Sequence, residues 1–128
     1  MKDLYGTDLL LAILAKIGPG RYQFHQGDVV RAFYNMRKHK DREKFKPYLH
    51  CYTIDPDGIE PSSRDIDNAF ANLYICQMMH CCGKYTCIMP CIQHAYEKNV
   101  KPKIKDEKVI DQMADIIFYE AINKKNME

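Results

Sequence analysis

Apolar residues recur along this chain at helical spacing, interrupted once by the two-residue alternation of a hairpin. Leu10, Ile13, Leu14 and Ile17 stand at i, i+3, i+4 and i+7 and predict a first helix with one buried stripe. Leu9 and Leu11 widen that stripe, so this helix is expected to be contacted on more than one side. Thr7 is placed to cap it, Asp8 suits its first turn, and Gly18-Pro19 stops it. A connection carrying Tyr22 and Phe24 follows. A second helix begins near Gln26 or Gly27, with Val29, Val30, Phe33 and Tyr34 buried. Asp28 lies in its first turn and Arg37, Lys38 and His39 in its last, as the helix dipole favours. In 41–61, Phe45, Tyr48 and Leu49 read as an extra helical turn broken by Pro47, and Tyr52 to Asp55 as a short strand. Asp55-Pro56-Asp57-Gly58 is a turn signal.

A further helix starts at Ser62 or Ser63, where Ser62-x-x-Asp65 resembles a capping box, and carries the stripe Ile66, Ala69, Phe70 and Leu73. Met78 to Cys82 and Tyr85 to Met89 then read as hairpin strands around Gly83-Lys84. Cys91 to Lys98 forms a short helix after Pro90, Val100 to Lys105 a basic linker, and Asp106 to Asn123 the last helix. Val109, Ile110, Met113, Ile116, Ile117, Phe118 and Ala121 cover more than half of that last helix. It is therefore expected to fold back across the domain or to bury itself in a homodimer.

A helix running into a two-stranded wing is the best local match to a known family. In element order, Leu9 to Met89 resembles the winged-helix (winged helix-turn-helix) family, with Ile66, Phe70 and Leu73 where that family's core positions fall. The resemblance implies a mainly α fold with a small β-hairpin. Residues 1–128 form one domain, with a winged-helix-like core over 7–89 and a helical extension over 90–128. It also implies a DNA-binding regulator. Two features depart from the pattern. More than 20 residues separate His39 from Ser62, where a DNA-binding helix-turn-helix has a turn of about 3–4. Beside Arg64, the start of the third helix carries Asp65 and Asp67, which phosphates repel.

Composition sets bounds on these readings. Of the 128 residues, 46% are hydrophobic and 28% charged, which is globular rather than disordered. A net charge of +2 is too mild to argue nucleic-acid binding by itself. Leu9 to Ala15 is too short to span a bilayer, and no signal peptide is read, so the cytoplasm is the expected compartment. Local charge says more than the total. Arg37, Lys38, Lys40, Arg42 and Lys44, with Lys46 beside them, form a basic run suited to a phosphate backbone. Arg64 and Lys84, at the hairpin turn, complete the expected nucleic-acid or partner contacts.

The six cysteines leave three chemistries open. Cys76, Cys81, Cys82, Cys87, Cys91 and His94 contain no CxxC and match no iron–sulfur spacing. Small packed thiols are expected, with no metal and no cofactor; a metal site or a redox switch is the alternative. Cys81 and Cys82 face opposite sides of a strand, so only one joins any common site. His25 or His50 pairing with Cys51 is the one base–nucleophile couple available. There is no GxxxxGK[ST], GxGxxG, HExxH or GxSxG, so no enzyme is expected and no catalytic residue is assigned. The expected function is nucleic-acid-binding regulation. A protein-binding adaptor or inhibitor of the kind phages and mobile elements carry is the alternative, and a metal or redox sensor the second alternative.

Overall fold

The computed structural model describes residues 4–123. Its first helix, α1 (Gly6–Ile17), buries Leu9 to Ala15 without a break, because other helices flank it on both sides. Each large apolar side chain buried in this way is worth about 1.5–3 kcal/mol. The cap differs from the expected one. The Tyr5 N–H donates to the Asp8 carboxylate at 3.1 Å, while Thr7 accepts from Asn72 Nδ2 at 2.9 Å. Asp8 thus closes the helix end, and Thr7 ties α1 to the helix packed against it. Gly18, at φ +103°, takes the chain out of the helix.

Strand β1 (Gly20–Tyr22) leads to α2 (Gln26–Met36), whose buried face holds Val29, Val30, Phe33 and Met36. This helix ends one turn early. Arg37 is its cap, and Lys38 and His39 lie beyond it. Next, α3 (Arg42–Leu49) runs through Pro47 without a break. Proline has no N–H to give the carbonyl four residues back, but buried Phe45 and Leu49 hold the helix on the core. Tyr52 to Asp55 is not a ladder strand: Asp55 alone pairs with Ser62, through bonds of 2.7 and 3.0 Å. The turn between them is closed by Asp57 N–H donating to Asp55 Oδ1 at 2.8 Å.

The fourth helix, α4 (Arg64–Ile75), buries Ile66, Ala69, Phe70 and Leu73 against α1. Strands β2 (Met79–Cys82) and β3 (Tyr85–Ile88) follow, turning at Gly83 with φ +62°. The strand order is β1-β3-β2, all antiparallel, with Arg21 opposite Cys87 and Cys82 opposite Tyr85. Helix α5 (Cys91–Ala95) continues as a wider turn through Tyr96–Val100 and a tighter one through Lys101–Lys103. Helix α6 (Glu107–Ile117), capped by Asp106, continues through Phe118–Asn123. The fold is mainly helical with one small sheet. α6 buries Val109, Ile110, Met113 and Ile117 inside the chain, against α1 and α2. Of the two arrangements expected for this helix, the structure has it folded back across the domain, with Ile116 and Phe118 half-buried. No helix among the described residues is long and apolar enough to cross a membrane.

Candidate functional site

Three residues of the basic run, Arg37, Arg42 and Lys46, line a cavity of about 490 Å³ between the end of α2 and α3. A continuous α3 makes this possible. Arg42, Lys46 and His50 recur every fourth residue, so they share one side of the helix and its cap. Arg37 reaches in from the end of α2, and its guanidinium donates to the Tyr52 carbonyl at 3.3 Å. Leu49, Tyr52 and Ile54 are buried beneath the rim, which also carries Glu43 and Thr53. Burial holds the Tyr52 phenol well above its ordinary pKa, and the hydroxyl donates to the Gly6 carbonyl at 2.6 Å. The floor is therefore neutral. Among the described residues, Arg37, Arg42 and Lys46 form no ion pair. Three cations around a concave, partly apolar floor suit an anionic group attached to an apolar or planar body.

The cavity is joined to the start of α4. Ser63 Oγ donates to the Thr53 carbonyl at 2.8 Å, and the Thr53 N–H donates to Asp65 at 2.7 Å. This places exposed Arg64 next to the residues that anchor the cavity wall. The other expected contacts do not all converge. Lys38 lies 5.1 Å over the Tyr34 ring, and Lys44 is 3.9 Å from Asp41. Lys40 is exposed outside the cavity lining. Lys84, 5.5 Å over Tyr85, sits beyond the far end of α4, a helix about 18 Å long at 1.5 Å per residue. Lys46 belonged to the basic run read from sequence, whereas His50, Tyr52, Thr53 and Ile54 were not singled out as contacts. The signal for His50 was the four-residue spacing from Arg42 and Lys46, hidden by reading Pro47 as a break.

The cysteines are not the packed core thiols expected. Cys76, Cys81, Cys82 and Cys91 are exposed, and Cys51 and Cys87 half-buried. A β2 strand that buries only Met79 leaves its following cysteines uncovered. Cys51 does not couple to a histidine base. Its thiol points at the Leu4 carbonyl, 3.3 Å away, and burial followed by the Asp8 charge pushes its pKa up. His94 is exposed, and no group of three or more His, Cys, Asp or Glu among the described residues is placed to hold a metal. The chain matches no protein-family model, no curated protein and no solved structure.

Proposed function

We propose that this chain is a winged-helix-like nucleic-acid-binding regulator of the cytoplasm, working by binding rather than catalysis. The supporting observation is spatial. The unpaired cations Arg37, Arg42 and Lys46 surround a cavity whose wall is hydrogen-bonded to the start of α4, the helix that leads into the hairpin. A phosphate entering the cavity would meet cations with no carboxylate partner to displace, apart from the nearby Glu43. The base-facing element would be the start of α4 with Arg64. Lys84 at the hairpin turn would contact the backbone separately.

The test is fluorescence anisotropy with a random duplex between roughly 50 and 200 mM salt, where phosphate contacts declare themselves. Binding should weaken steeply over that range. The double variant Arg42→Gln, Lys46→Gln should lower the slope of log K against log salt by about 2, near 0.9 per lost contact. A variant with an unchanged slope would remove the cavity from the interface, and absence of binding at low salt would remove nucleic acid from the function.

A second reading has its own observation. Asp65 and Asp67 are exposed where phosphates would lie, and Ile59 and Ile75 are exposed apolar side chains nearby in sequence. These features suit an adaptor or inhibitor that docks on a protein. Recovery of a stoichiometric protein partner from nuclease-treated extract, together with no duplex binding, would favour this reading over the first.

A further inference from the structure

Pairing in the small sheet puts one set of side chains on its outer face. His80 and Arg21 flank Cys87 from either side, and Cys82 stands opposite Tyr85. Residues two apart along a strand share a face, so Cys82 and Cys87 are diagonal neighbours across the hairpin. Their sulfurs are 3.6 Å apart, with the Cys87 thiol donating. Three of the other thiols have different partners. Cys81 turns to the opposite face and the Tyr74 hydroxyl at 3.5 Å, Cys91 to the Gln77 carbonyl at 3.7 Å, and Cys51 inward. Cys82 is exposed and Cys87 half-buried, so a small reagent reaches the pair from solvent, at Cys82 first.

We propose that Cys82 and Cys87 form a redox-active dithiol, which a low-molecular-weight disulfide converts into an intrachain disulfide across the hairpin. Cys82 loses its proton, and its sulfur attacks one sulfur of the reagent R–S–S–R. The reagent S–S bond breaks, one R–S⁻ leaves and takes up a proton, and a mixed disulfide remains on Cys82. Cys87 then gives up its proton and attacks the Cys82 sulfur, expelling the second thiol. The protein loses two protons and two electrons, and the reagent takes them up to become two R–S–H. The order follows from exposure, since Cys82 is open to solvent while Cys87 is half-buried. The hydrogen bond to Cys82 raises the Cys87 thiol, which suits its role as the second, resolving group.

Incubation of the reduced full-length chain with glutathione disulfide tests this, read by non-reducing intact mass and peptide mapping. The expected product has lost two hydrogens, carries no glutathione and maps to a Cys82–Cys87 crosslink. Cys87→Ser, a surface change of similar size, should stop at one glutathione held on Cys82. A crosslink through Cys76, Cys81 or Cys91, or glutathione retained on the unchanged chain, would overturn the assignment. So would Cys87→Ser carrying glutathione at sites other than Cys82. The result is independent of duplex binding, so this proposal and the nucleic-acid reading fail separately.

Discussion

The Lys16 ammonium sits between two carboxylates, 2.9 Å from Glu107 and 3.2 Å from Asp111, and 5.1 Å over the Tyr96 ring. Burial works to lower its pKa, but the bonds to Glu107 and Asp111 outweigh it and the value rises. Glu107 also accepts from the Tyr96 hydroxyl. That bond, then the Lys16 bond, holds the carboxyl below its ordinary range. Burial first, then the bond to Glu107, takes the Tyr96 phenol from 10.0 to about 12. The signs differ for the two groups. A carboxyl with a lowered folded pKa contributes stability above its unfolded value, near 4.3, and that contribution is lost as pH falls through the folded value. A phenol with a raised folded pKa contributes below about 10, and its contribution is lost as pH rises towards about 12. Glu107→Gln should therefore unfold at lower urea than the unchanged chain at neutral pH. The gap should narrow once pH drops below about 4. Urea midpoints across a pH series provide the check, and a gap that stays constant into acid would show that Glu107 contributes no charge-dependent stability.

At the scale of elements, the start of α4 shows how a cap is shared with a neighbouring segment. Ser63 is buried, with 3% of its surface exposed; its hydroxyl accepts from Ile66 N–H at 3.2 Å and donates to the Thr53 carbonyl. Ser63→Ala loses the cap, typically worth about 0.5–2 kcal/mol, and leaves the Thr53 carbonyl short of a partner. Its cost in chemical denaturation should be about 2 kcal/mol, whereas exposed Ser62→Ala should stay within about 0.5 kcal/mol. Equal effects would return the cap to Ser62. The Ser62–Asp65 box read from sequence fails because Asp65 is taken by the Thr53 N–H, a tertiary partner that no local pattern announces. The same division runs through the fold. Stripes of period 3.6 make α1, α2, α4 and α6 legible, and Gly83 marks the hairpin. The β1 strand is three residues long, so the alternation of Tyr22 and Phe24 reads equally as a strand end or a packed turn, and α3 was hidden by its proline. The basic run was visible as charge. Its cavity was not, because that needs α3 continuous and residues 52–54 folded back beneath it.

For the molecule as a whole, the core does not stop at residue 89, the boundary expected from the winged-helix resemblance. A single cluster of buried side chains runs across residue 89 and joins Leu9, Phe33 and Phe70 to Ile92, Val100, Ile110 and Ile117. Helix α1 lies between α4, on the side of the candidate interface, and α6, from the C-terminal segment. Removing everything after residue 89 would strip away Ile92, Val100, Val109, Ile110, Met113 and Ile117, all buried. At about 1.5–3 kcal/mol each, that loss is on the order of 10 kcal/mol or more. It matches the whole stability of a typical domain, about 5–15 kcal/mol. A fragment of residues 1–89 should therefore show no cooperative thermal transition by circular dichroism, while the full chain shows one. A fragment that melts cooperatively would make the C-terminal helices an accessory layer. If it does not, α4 and the hairpin are held in place by helices that follow them in sequence. If the chain binds duplex as proposed, the salt dependence of that binding then belongs to the whole chain, since α1 positions α4 only while α6 covers its other side.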